Sequence, residues 1–444
     1  MIKRQVEQKI LNWIDRGKNA LLVSGARQVG KTFSIRRCLK ATGSDYLEIN
    51  LIENPGYADI FRSSQTVSDI AMELSLATGH KFLKNETILF IDEVQECTDI
   101  VTRIKFWVDE GSYRYILSGS LLGIELTNLR SSPVGYMDEI QMYPLDFLEF
   151  IIASGVNDHV ISYLEEHFQE RTAISDTVHE QMLGRFQKYL VTGGMPSAVD
   201  CYLNSGDHNE VTDIQSNIIS LYQKDFSKYE SADKKLMLQS VYQLIPSELL
   251  KQNRRYNYAD IKKGLKYVRL EDSFLWLLSS GVSIAAFNAT EPKIPLLANK
   301  KSSLLKLYLS DVGLLTCMYG KSLKLDILTK RKANLGGIYE NYVAMELYRH
   351  GYDIYYYNSR KLGELDFVIE HRNRILPIEV KSGKDYYVHS AVNNVLASSE
   401  FETEEALVFT NYNIKKENNV FYCPVYMSTF LNDEVVLPVE AKQT

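Results

Sequence analysis

The stretch VSGARQVGKT, Val23–Thr32, decides how the N-terminal part of the chain is read. Gly25, Ala26, Arg27, Gln28, Val29, Gly30, Lys31 and Thr32 fill the pattern G-x-x-x-x-G-K-[ST] at every position. The residue types are those a polyphosphate requires. Glycines let the backbone wrap round phosphate oxygens with its N–H groups turned inward. Lys31 brings a cation to the β- and γ-phosphates, and the Thr32 hydroxyl ligates Mg²⁺. The flanks supply the required order of strand, loop and helix. NALLVSG is a short apolar run that reads as a buried strand, and KTFSIRRCLKAT reads as a helix whose N-terminus faces the phosphates. Phe33, next to Thr32, is counted with the nucleotide-binding residues.

Moving outward, ETILFIDEVQEC places four apolar residues, Ile88 to Ile91, directly before Asp92 and Glu93. This is the pattern of a buried strand that ends in an Mg²⁺-holding acid, Asp92, and a general base, Glu93. In YRYILSGSLLG, Ser118 and Ser120 end a third strand, where ligands of open α/β sheets bind, and either hydroxyl is a candidate γ-phosphate sensor. Arg103 and Arg130 are candidates for a charge-neutralising arginine. ATP and Mg²⁺ are the cofactors this set implies.

The bulk properties narrow the class. At roughly 100–200 residues per domain, 444 residues suggest several domains. With 45% hydrophobic and 24% charged residues, the composition is that of a globular chain. No apolar run approaches the length of a membrane span, and the N-terminus lacks the apolar core of a signal peptide. Five scattered cysteines without metal-ligand spacing fit a reducing, cytoplasmic setting. The net charge of −6 argues against indiscriminate nucleic-acid coating, though not against a local basic patch.

Residues 1–152 alternate strand and helix patterns, which implies a parallel sheet covered on both faces. Residues 153–229 read as a helical lid, interrupted by Gly193, Gly194 and Pro196. Residues 230–330 read as three helices followed by a hairpin, the order of a winged helix, with Lys251, Arg254, Arg255, Lys262, Lys263, Lys266 and Arg269 crowding its middle. Residues 331–444 carry a second set of charged residues. Glu340 lies near the start of an amphipathic helix and Asp366 lies in the strand LDFVIE. Glu379 and Lys381 lie two apart in ILPIEVKSG, hence on one face of a strand. Glu340, Asp366 and Glu379 are candidate ligands for Mg²⁺, and Lys381 a candidate for orienting water or stabilising phosphoryl charge.

Asp366, Glu379 and Lys381 in this order resemble the PD-(D/E)xK core of restriction-endonuclease-like folds. The whole chain resembles a widespread prokaryotic family that joins an N-terminal AAA-type ATPase to a C-terminal domain of that fold. The stretches that carry the resemblance include GARQVGKT, INLIENP, LFIDEVQEC, LSGSLLG, YLVTGGMPSAV, LKLYLSDVGLL, GGIYENYVAMEL, GELDFVI and PIEVKSG. It implies ATP binding and hydrolysis, with Lys31, Glu93 and Lys381 as catalytic residues. Thr32, Asp92, Glu340, Asp366 and Glu379 would be its metal ligands. The resemblance supplies no physiological task; DNA and a protein are both open as partners, as is an oligomer. Two readings follow: an ATPase that works on or near DNA through a nuclease-like domain, or a nucleotide-dependent switch that controls a protein partner and carries an inactive nuclease fold.

Overall fold

The computed structural model describes residues 2–120, 135–226, 232–251, 253–261, 264–331, 333–398, 401 and 403–433. Two units divide the chain. The first comprises Met1–Leu145, Met195–Asp200 and Leu275–Val282; the second comprises Asp146–Gly194, Cys201–Phe274 and Ser283–Thr444.

The first unit is built on β1 (Ala20–Ser24), β2 (Tyr46–Asn50), β3 (Ile88–Asp92), β4 (Arg114–Ser118) and β5 (Met137–Gln141). Every pairing is parallel, in the order β2-β3-β4-β1-β5. β1 and β3 are buried at all five positions, as expected of strands covered on both faces. Their apolar runs pack with Phe61, Ile104, Trp107 and Leu117 in one core. Local signals fix the surrounding helices. Thr66 and Asp69, for example, form a reciprocal cap that starts the helix Val67–Thr78. Because β4 separates β1 from β3, the chain order reverses beside β1. This is the switch point at which such sheets hold ligands beyond their strand ends.

The second unit carries helices over Asp158–Glu170, Asp176–Thr192, His208–Phe226 and Ala232–Leu250, matching the helical middle expected from the sequence. Its sheet has eight strands: β6 (Ser283–Ala289), β7 (Lys300–Leu309), β8 (Tyr355–Ser359), β9 (Gly363–His371), β10 (Arg374–Val380), β11 (Ala406–Thr410), β12 (Lys415–Glu417) and β13 (Val420–Pro424). The order β12-β13-β11-β10-β9-β8-β6-β7 is mixed in direction. Arg372 and Asn373, both at positive φ, make the two-residue turn from β9 to β10.

The region expected to form a separate winged module is organised differently. Its hairpin β6–β7 continues the sheet, because β6 pairs with β7 on one side and with β8 on the other. The expected helix NYADIKKGLKY contains a 3-10 turn at Tyr258–Asp260, and another follows at Tyr267–Arg269. The Asn257 side chain accepts from the Ala259 N–H, a local bond that competes with helix, and Gly264 takes φ 80°. Lys262 and Lys263 lie outside the described residues. Residues 230–330 and 331–444, expected as two domains, thus share one sheet.

Candidate nucleotide and carboxylate sites

Between the end of β1 and the helix Lys31–Thr42, Gly25, Gln28 and Gly30 take φ values of 137°, 65° and 92°. A Cβ on Gly25 would lie 2.1 Å from the Met142 carbonyl oxygen, so only glycine fits there. Arg4 braces the loop, donating to the carbonyl oxygens of Val29 at 3.0 Å and Tyr143 at 2.6 Å. The two short segments of the same unit also reach the loop. Pro196 lies beside Gly30, and Gly281 approaches the Ala26 backbone. No side chain caps the helix at Gly30, so its first N–H groups are available to an anion.

Lys31 Nζ donates to the Gly25 and Ala26 carbonyl oxygens, at 2.9 Å each. Burial lowers its pKa to about 8, and the carboxylates of Glu93 and Asp92 offset part of that fall. Asp92, at the end of β3, is the hub of the polar cluster. Its Oδ2 accepts from Thr32 Oγ1 at 2.9 Å and from Asn50 Nδ2 at 3.2 Å. Its Oδ1 accepts from Ser118 Oγ and from the Glu93 N–H. The register explains the convergence: Asn50, Asp92 and Ser118 stand side by side on β2, β3 and β4. Glu93 has φ 59° and accepts from Gln95 Nε2 at 2.5 Å. Arg27 Nε donates to Ser120 Oγ at 3.3 Å, and Phe33 is exposed.

This donor set fits a triphosphate with Mg²⁺. The lysine is held by backbone carbonyls, the helix start is uncapped, and a hydroxyl and a carboxylate already share a hydrogen bond where the cation would sit. Arg103 is not brought to the site; it donates to the carbonyl oxygens of Phe61 and Ser64. Arg130 lies outside the described residues. Sequence reasoning missed Arg4, for which the chain carries no signal. It also missed Asn50, which its place at the end of the strand before LIENP could have suggested.

In the second unit, Glu364, Asp366, Glu379 and Lys381 line a cleft of about 530 Å³ together with Arg254, Asn334 and Gly336. Glu340 lies on the helix Gly336–Arg349, buried from Gly336 through Leu347. A side chain at Gly336 would obstruct Arg254, since a Cβ there would lie 2.5 Å from its guanidinium. Glu340 accepts from Tyr308 OH at 2.5 Å, from Lys306 Nζ at 3.2 Å and from Arg254. Lys306 is fully buried and also lies 3.2 Å from Glu364 and 3.8 Å from Asp366. Burial alone would lower its pKa; the carboxylates of Glu340, Asp366 and Glu364 outweigh burial and raise it. Asp366 accepts from the Val380 N–H at 2.9 Å, and Lys306 and Arg254 hold its pKa low against burial. Burial and the neighbouring Asp366 raise Glu379 to about 8. Lys381 Nζ donates to Glu379 Oε1 at 2.6 Å, while Glu379 Oε2 is buried without a hydrogen-bond partner.

The sequence led to a metal centre formed by Glu340, Asp366 and Glu379. These side chains do converge on one region, but Glu340 is occupied by Lys306, Tyr308 and Arg254. Among the described residues no three His, Cys, Asp or Glu side chains form a set that could hold a metal ion. A three-carboxylate metal centre does not fit this arrangement, because Lys306 holds the position of a shared cation. Sequence reasoning missed Lys306, although a lysine inside the apolar strand LLKLYL is a buried charge that must find a partner.

Three family descriptions match successive parts of the chain: an AAA domain over residues 17–151, a domain of unknown function (DUF8612) over 183–325, and a domain of unknown function (DUF4143) over 335–427. The eight-stranded sheet runs through both of the latter. No curated protein matches the chain. Among solved structures, the Walker-type ATPase PABY2304 of Pyrococcus abyssi is similar at 15% identity, over 72% of this chain and 96% of that one, with a TM-score of 0.43. The Aeropyrum pernix ORC1 protein in complex with DNA is similar at 13% identity, over 74% of this chain and 95% of that one, with a TM-score of 0.28. The family match places residues 17–151 with AAA domains. No helix among the described residues is long and apolar enough to cross a membrane.

Proposed function

We propose that the chain hydrolyses ATP at the Lys31–Asp92–Glu93 site and uses the reaction to control work on or near DNA by its C-terminal sheet. The observation that carries the first part is the hub at Asp92, where Thr32 and Ser118 converge beside Lys31. When bound, Mg²⁺ would be held by Thr32 and Asp92 and would offset phosphate charge. Lys31 exchanges the Gly25 and Ala26 carbonyls for phosphate oxygens. Gly25 through Phe33 cradle the nucleotide. Glu93, positioned by Gln95, accepts the proton of the attacking water. Ser118 acts through Asp92, holding its carboxylate, while Arg27 and Ser120 form a linked pair at the mouth of the loop.

The link to DNA is supported by the helix and strands that bring Glu340, Asp366, Glu379 and Lys381 together in PD-(D/E)xK order. On this reading residues 331–444 are the nuclease-like part, and residues 230–330 donate Arg254 and Lys306 to it. Residues 1–152 form the ATPase core and 153–229 its helical lid. Lys306 favours the second reading in one respect: with Glu340 occupied, the C-terminal module binds or signals without cutting.

The test is ATP hydrolysis by the full chain with Mg²⁺ at low salt, with and without DNA, alongside a gel for DNA integrity. Stimulation by DNA that disappears in Glu93→Gln supports the coupled ATPase. Turnover indifferent to DNA moves the partner from nucleic acid to protein.

A further inference from the structure

Beside the carboxylate cleft, the loop after β10 reads KSGKDYYV, Lys381–Val388, and the neighbouring edge strand β12 reads KKE, Lys415–Glu417. Together they carry Lys381, Lys384, Lys415 and Lys416; Lys381 pairs with Glu379 and Lys415 with Glu417, which leaves Lys384 and Lys416 beside Asp385 as the local excess of positive charge on a chain of net charge −6. Aromatic rings are interleaved with these lysines. Tyr386 packs on Tyr412, with centroids 4.4 Å apart and planes 30° apart, and meets Tyr387 at 5.6 Å. Tyr387 is 60% exposed and Tyr412 39%. The platform is anchored from beneath: Tyr386 rests on Tyr422, whose hydroxyl is 2.6 Å from His389 Nε2. It is also tied to the cleft, because Asn411 Nδ2, next to Tyr412, donates to the Ser382 carbonyl at 3.1 Å.

Exposed rings bordered by ammonium groups match a ligand with flat faces and a regularly charged backbone. A duplex keeps its base faces inside the stack, so only unpaired bases can use such rings. The charges within the cleft need no added ion, since Lys306, Arg254 and Lys381 already face its carboxylates.

We propose that the Lys381–Val388 loop, with Tyr412 and β12, is a metal-independent binding surface for single-stranded nucleic acid, in which bases stack on Tyr387 and Tyr412 and phosphates meet Lys384 and Lys416. The proposal rests on the reading that the chain works on nucleic acid, and it goes further in naming the strand state, the residues and the independence from metal.

The test is fluorescence anisotropy of the full chain with a labelled mixed-sequence single strand and with its duplex, in EDTA. The single strand binds more tightly than the duplex. Tyr387→Ala and Tyr412→Ala each weaken single-strand binding about tenfold, as the loss of one stacked base does. Both positions are exposed, so these variants keep the ATPase rate of the parent. Lys384→Ala with Lys416→Ala lowers the salt dependence, by about 0.7 in the log–log slope for each phosphate no longer neutralised. Single-strand binding that these variants leave unchanged overturns this surface and leaves the nucleic-acid reading standing. Preference for the duplex, or binding that requires Mg²⁺, overturns the proposal in the same way. No binding of either oligonucleotide overturns both.

Discussion

The two halves of the molecule each place a buried lysine among carboxylates, and the lysines have opposite fates. Lys31 is held by two backbone carbonyls, with Asp92 and Glu93 near but not bonded to it. Burial dominates and its pKa falls; on the proposed reading the ammonium exchanges these carbonyls for phosphate oxygens. Lys306 is held by Glu340 and Glu364 at 3.2 Å with Asp366 beyond. The carboxylates dominate there, the pKa rises, and nothing outside could offer the ammonium a better site. A lysine held only by carbonyls can thus take a ligand's charge at little loss, as proposed for Lys31, whereas one enclosed by carboxylates is a fixed part of the structure.

The sharpest way to break this contrast is Lys31→Ala. Loss of the fixed cation beneath the phosphates should abolish ATP binding in calorimetry; unchanged affinity would remove Lys31 from the site. Next in size is Lys306→Met, which leaves the buried carboxylates of Glu340 and Asp366 to share Arg254 and should cost about 3–5 kcal/mol in urea unfolding. Adding Glu340→Gln should recover part of that loss, and a lack of recovery would show that the two do not act as a pair. Glu93→Gln should keep ATP affinity while slowing hydrolysis about 10²-fold, as expected from losing a general base. Wild-type turnover would place the base elsewhere.

The smallest effect is in pH. The folded pKa of Lys31, about 8, lies below its ordinary 10.5. Its proton therefore costs stability in the nucleotide-free protein below pH 8, and that cost fades as pH rises from 8 to 10.5. Bound phosphate favours the charged lysine, so binding above pH 8 takes up a proton. ATP affinity should be flat below pH 8 and fall by up to about tenfold per pH unit above it. Calorimetry in buffers of different ionisation enthalpy reads the uptake directly, and equal heats at pH 8.5 would contradict it.

The first site was largely legible in the sequence because its parts are local. A glycine loop, a lysine and a threonine occupy one stretch, and the acids follow a run of buried strand residues. What escaped was Arg4, which reaches the loop from the opposite end of a helix and leaves no pattern. The C-terminal residues were legible as an ordered set, but their chemistry was not. Glu340, Asp366 and Glu379 were read as ligands awaiting a cation, while the cation came from Lys306 on a strand assigned to another module. That assignment failed for a physical reason. A hairpin looks the same in sequence whether it stands alone as a wing or lends its free edge to a neighbouring strand, as β6 does to β8.

The chain crosses between its two units five times, at Leu145/Asp146, Gly194/Met195, Asp200/Cys201, Phe274/Leu275 and Val282/Ser283. Pro196 and Gly281, which lie beside the phosphate loop, belong to the returning segments. Recombination at any single point in the gene between them would thus separate the loop from one of these neighbours. The packing of the phosphate loop depends on segments that lie outside residues 17–151.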